Sequence, residues 1–145
     1  MKKGFTLLEL IIVIIIIGVL ATLGFVQYSR MIEKARGAEA RALLGNMRTL
    51  AGTIYMENNS NCTNCINAGL GVGSTVPGPA AANCDTSHYF WYNVTASGAN
   101  GFTALATRCT ALGKTPNGTA PAGTLQLVTN FTAAGSDVWT ATGGY

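Results

Sequence analysis

Charge is scarce in this chain. Its 145 residues include nine basic and six acidic side chains, and the resulting 10% charged fraction compares with about 25% in an ordinary soluble domain. With 48% hydrophobic residues, the composition excludes intrinsic disorder, which requires the reverse balance. One histidine, His88, leaves little from which to build a histidine metal site or acid–base pair, and its place at the start of an expected strand favours a structural role. No nucleophile motif, phosphate-binding loop or paired-carboxylate pattern occurs, so the chain does not read as an enzyme and no cofactor is expected. Proline is absent before Pro77 and cysteine before Cys62, so no proline forces a helix in the first half to break.

The charges that are present sit mostly at one end. Residues 1–57 hold seven basic and four acidic side chains and carry the whole net +3. Residues 58–145 hold only Asp85, Arg108, Lys114 and Asp137, which sum to zero, and more than half of that segment is Thr, Ala, Gly and Asn. A neutral head offers little to phosphate groups, so no nucleic-acid partner is expected. Leu10 to Val26 is free of charge, and with Leu7 and Leu8 it approaches the roughly 20 residues needed to cross a bilayer. Lys2 and Lys3 precede it, and basic flanks favour the cytoplasmic side, so the rest of the chain is expected outside the cytoplasm. A secretory signal has a shorter apolar run followed by a cut. A passive anchor has no use for Glu9, because a carboxylate in an apolar segment is costly and calls for a partner.

The run Gly4-Phe5-Thr6-Leu7-Leu8-Glu9-Leu10-Ile11 resembles the processing signature of type IV pilins and of the related type II secretion pseudopilins. The resemblance is strong over residues 1–40 and only architectural beyond. It implies that a prepilin peptidase removes residues 1–4 by cutting between Gly4 and Phe5. Phe5 then becomes an N-methylated terminus, and Glu9, fifth after the cut, pairs with the new Phe5 amine of a neighbouring copy. Opposite charges attract strongly in a low dielectric, and such a pair sets axial register. The implied organisation is a leader (1–4), a membrane and assembly helix (5–28), an amphipathic continuation of that helix (29–57) and a globular head (58–145). Many type IV pilins have a proline near the position of Val26 and melt there in the filament. This sequence has Gly18 and Gly24 but no proline, so the free subunit is expected to be continuous helix and melting between Gly18 and Val26 is less assured.

Leu43, Met47, Leu50 and Ile54 recur at helical spacing and are expected to pack on the head. The breaker-rich stretch 58–87 reads as a long wrapping loop. Strands are expected at His88–Thr95, Phe102–Cys109 and Thr124–Phe131, with a weaker one at Asp137–Ala141. The fold class is therefore α+β: a long N-terminal helix packed against a small antiparallel sheet, in the lollipop shape of type IV pilins. Four cysteines in an exported head favour two disulfides. If the first two strands pair antiparallel, Cys109 falls near Cys84, which leaves Cys62 with Cys65. One CxxC is too few for a zinc site of the usual two-pair pattern, and the thioredoxin context of a redox CxxC is absent. Asp85 and Asp137 are a poor basis for a calcium site, which needs several oxygens. Five Asn-X-Ser/Thr sequons occur, at Asn58, Asn61, Asn93, Asn117 and Asn130.

The resemblance and the durable, uncharged head together favour a structural subunit. The expected protein is a major pilin that polymerises into an extracellular type IV pilus from an inner-membrane precursor. An assembly platform and an ATPase motor would act on it. Two alternatives stay open: a pseudopilin of a periplasmic pseudopilus, and a minor pilin acting in adhesion or DNA uptake.

Overall fold

A computed structural model describes residues 5–79, 84, 88–111, 114, 123–132, 136–143 and 145. One helix, α1 (Leu7–Glu57), precedes four strands, β1 (Phe90–Gly98), β2 (Gly101–Arg108), β3 (Thr124–Asn130) and β4 (Ser136–Ala141). At 1.5 Å per residue, its 51 residues make α1 roughly 77 Å long. The helix is unbroken through Gly18 and Gly24. Ile and Val are only middling helix formers in water. In hydrocarbon, however, a spanning backbone must satisfy its own hydrogen bonds, and a helix does so. At the far end Asn58 N donates to Ile54 O and Ser60 N to Tyr55 O. Asn59 and Ser60 adopt positive φ, which turns the chain back toward the sheet.

The sheet is an antiparallel meander in the order β1-β2-β3-β4. Ala99 and Asn100 close the first hairpin between the paired Gly98 and Gly101. Gly101 is required there, because a Cβ would lie 1.9 Å from Thr129 O. A register shift between Val94 and Ala96 bulges β1, and Asn67 fills the gap: its Oδ1 accepts from Val94 N at 2.6 Å and its Nδ2 donates to Asn93 Oδ1. Tyr92 N donates to Pro77 O, and Cys62 N to Ala99 O. The loop after α1 thus covers the β1 edge, which would otherwise expose unpaired backbone groups.

Period-2 alternation in β2 and β3 lays Phe102, Ala104, Ala106, Leu125 and Leu127 against α1, with Phe90 and Tyr92 from β1 and Leu70 and Val72 from the loop. The sequence-based helix face needs correction. The buried residues of α1 are Gly37, Ala40, Leu44, Met47 and Ala51. Of the expected face, Met47 is buried and Leu43 and Ile54 are partly buried and packed against the core, whereas Leu50 is 43% exposed. The small residues Ala40 and Ala51 are fully buried in the same core as Ala104 and Ala106, and Gly37 makes room for Tyr145. Cys62 is bonded to Cys65 and Cys84 to Cys109. The second bond ties the segment before β1 to the end of β2.

Candidate functional site

The exposed part of the molecule is its apolar end. The 18-residue window with mean hydropathy 2.8 has none of its surface buried against the rest of the chain. Every residue from Phe5 to Tyr28 is exposed. That is a surface for lipid or for other helices, since large apolar patches mark interaction sites.

At its start stands a capping box. Thr6 N and Thr6 Oγ1 each donate to Glu9 Oε2 at 2.9 Å, and Glu9 N donates to Thr6 Oγ1 at 3.3 Å. Within one chain, then, the partner of Glu9 is Thr6, one turn away, and Phe5 stands free of the rest of the fold at 86% exposure. The Thr6-Leu7-Leu8-Glu9 spacing was a readable signal, because Ser/Thr followed three residues later by Glu at a helix start marks this box. The arrangement satisfies the carboxylate locally at the tip of the apolar helix. Gly4 lies outside the described residues.

A second constellation holds the helix to the head. Arg108, on the inner face of β2, has a fully buried side chain. Its Nε and Nη2 donate to Glu33 of α1 at 3.1 and 3.0 Å, and its Nη1 donates to the carbonyls of Cys109 and Tyr89. Glu33 also pairs with Arg36 and accepts from Tyr145 Oη at 3.4 Å. Burial pushes the Glu33 carboxyl up, but the hydrogen bonds and charges of Arg108, and then of Arg36, outweigh it and hold the group below its usual range. Burial, with Glu33 adding to it, raises the Tyr145 phenol. Arg36 lies 4.0 Å over the ring of Tyr89, and Lys114 stands 5.2 Å from the same ring while donating to the carbonyl of His88. Tyr145 packs edge-on to Phe90 and into a notch at Gly37, where a Cβ would lie 2.6 Å from its ring. Pairing across 75 residues is invisible to local pattern. The alternation along Phe102, Ala104, Ala106 and Arg108 was the one sequence signal for an inward-facing arginine, and it went unread.

Asp137 forms an ion pair with Arg48 at 2.7 Å, and Asp85 lies outside the described residues. Among the described residues no three or more His, Cys, Asp or Glu side chains gather as metal ligands.

Residues 1–25 match the family described as the prokaryotic N-terminal methylation motif. The chain is 39% identical over 57 residues to the type IV major fimbrial protein FimA of Dichelobacter nodosus, covering 39% of this chain and 36% of FimA. It is 30% identical over 113 residues to the fimbrial protein EcpC of Eikenella corrodens, covering 78% of this chain and 67% of EcpC. To a fimbrial protein of Moraxella nonliquefaciens it is 44% identical over 52 residues, 36% of this chain and 34% of that protein. The match thus spans about a third of FimA. No solved structure matches the chain.

Proposed function

The chain belongs to the type IV fimbrial protein family, and on that premise we propose that it is a major pilin, a structural subunit that polymerises through its N-terminal helix into an extracellular type IV pilus. The observation that carries this reading is the apolar helix, exposed on all sides and headed by the Phe5 and Glu9 of the methylation motif. On this reading residues 1–4 are a leader removed by a prepilin peptidase, and Phe5 is then methylated. The precursor crosses the inner membrane once, with residues 58–145 outside the cytoplasm. Residues 5–28 form the filament core, residues 29–57 carry the helix into the head, and the heads form the filament surface.

Assembly follows from the charges. Cleavage creates a cationic amine at Phe5, which is costly to leave unpaired in lipid or in a packed core of helices. The Glu9 carboxylate of an adjacent subunit neutralises it and sets the axial step, while packing of the apolar helices supplies contact area. A separate ATPase motor, acting through the assembly platform, supplies the energy to draw each helix out of the membrane. A head held by two disulfides, with no net side-chain charge between residues 58 and 145, suits a durable outer fibre. In cells carrying Glu9→Ala, leader removal is expected to stay near normal and surface filament yield to collapse. Normal filament yield from that variant would overturn the proposed pairing.

A further inference from the structure

The five sequons of the head follow the pattern that accepts N-linked sugar on exported proteins, and the fold does not treat them alike. Asn117 lies outside the described residues. Asn93 is inside β1, paired opposite Leu105, and its Oδ1 accepts from Asn67 Nδ2 at 2.9 Å. Asn58 is the C-cap of α1, and in its sequon Ser60 N is already committed to Tyr55 O.

Asn61 and Asn130 share a different geometry. Asn61 Oδ1 accepts from Thr63 N and Thr63 Oγ1, both at 2.8 Å. Asn130 Oδ1 accepts from Thr132 N at 3.0 Å and Thr132 Oγ1 at 2.7 Å. In each, the hydroxyl that defines the sequon is bonded to the acceptor amide through its oxygen, which leaves the amide nitrogen turned to other chemistry. Asn61 is half-buried, and the middle residue of its sequon, Cys62, is buried and locked to Cys65. Asn130 is also paired, opposite Gly101 and Ser136, but as the last residue of β3, and unlike half-buried Asn93 both it and Thr132, beyond the strand, are exposed. An open groove of about 350 Å³ beside Asn130, bordered by Gly98, Asn100, Gly101, Thr103 and Val128, leaves room for a sugar against the hairpin end.

We propose that Asn130 is an acceptor site for N-linked sugar, supplied as a polyprenyl-diphosphate-linked oligosaccharide. The bond from the anomeric carbon of the sugar to the diphosphate oxygen breaks, and a bond from that carbon to Asn130 Nδ2 forms. The polyprenyl diphosphate leaves as an anion, and one amide proton passes to a base of the transferase. The site is compatible with polymerisation. Phe131, next in the chain, stacks on Tyr55 near the C-terminal end of α1. That end lies roughly 44 Å along the helix from Val26, taking 1.5 Å per residue. A sugar there stands well clear of the apolar helix.

The inference takes the head to be exported, but its test does not depend on export. The full-length protein in detergent is incubated with a purified oligosaccharyltransferase and a polyprenyl-diphosphate-linked oligosaccharide, and its peptides are weighed by mass spectrometry. The transferase is one that modifies short peptides of both the Asn93 and the Asn130 sequons. The oligosaccharide mass is expected on the peptide holding Asn130 and not on that holding Asn93, with loss of the increment in Asn130→Gln and in Thr132→Ala. An unmodified Asn130 in the folded protein, or equal modification at Asn93, would overturn the proposal.

Discussion

Replacing Glu33 by glutamine leaves the Arg108 guanidinium buried without a counter-charge. In the native head that guanidinium, fully buried on β2, gives two hydrogen bonds to the Glu33 carboxylate and two to backbone carbonyls. The carbonyls remain in the variant, but the charge and one charged acceptor are lost. Breaking a buried pair from one side typically costs about 3–5 kcal/mol. The two retained carbonyl bonds place this case near the lower end, about 3 kcal/mol, or a melting temperature lower by on the order of 10 °C. The assay is thermal unfolding of the full-length protein in detergent, followed by near-ultraviolet circular dichroism. Both tryptophans, Trp91 and Trp139, lie in the head, so the signal reports the head rather than the apolar helix. Pairing Glu33→Gln with Arg108→Met should recover part of the loss, since an apolar side chain needs no counter-charge. A Glu33→Gln protein within about 0.5 kcal/mol of the parent would refute the reasoning, since that is the scale of an ordinary surface change.

Glu33 is held below its ordinary value of 4.5, so the stability it contributes is fully present above that value and is lost as pH falls through the lower folded-state value. Acid unfolding followed by circular dichroism should therefore begin below about pH 4.5 and be blunted in Glu33→Gln. Tyr145 is raised from 10.0 and acts in the opposite sense: its contribution is present below the unfolded value and is lost as pH rises through the folded one. Gly37→Leu would drive the Tyr145 ring from its notch and should lower stability by about 1–3 kcal/mol in denaturant melts, as overpacking does. Thr129→Val removes a buried hydroxyl that has no partner among the described residues, and it should raise the denaturant midpoint, by about 1 kcal/mol in stability.

The elements that local pattern could reveal are those built from contiguous residues. The helix from Leu7 to Glu57 follows from a charge-free apolar run with no proline. The strand regions follow from short apolar alternations between breakers, with ends displaced by a residue or a few. The nearness of Cys84 and Cys109 follows from the antiparallel pairing of β1 with β2. The helix face was legible at Met47, Leu43 and Ile54, but not at Leu50 or at the small buried residues, for a physical reason. Leucines at helical spacing carry a strong hydrophobic signal, whereas Ala40 and Ala51, fully buried in the core, and Gly37, packed under Tyr145, carry almost none. Glu33 and Arg108 meet only through the tertiary fold. Asn67, which fills the β1 bulge, looked like one more polar loop residue. At the site itself, the motif around Phe5 and Glu9 was visible in sequence, and the Thr6–Glu9 capping box was readable from its spacing.

The central claim is that this chain is processed between Gly4 and Phe5 and polymerises through the helix that follows. Intact-mass spectrometry of the subunit in filaments sheared from the cell surface tests it most directly. The expected subunit begins at Phe5 and carries one methyl group on its terminal amine, recovered from fibres visible by electron microscopy. A surface-fibre subunit that retains residues 1–4, or a processed subunit confined to the cell envelope of cells that make no such fibres, would contradict it.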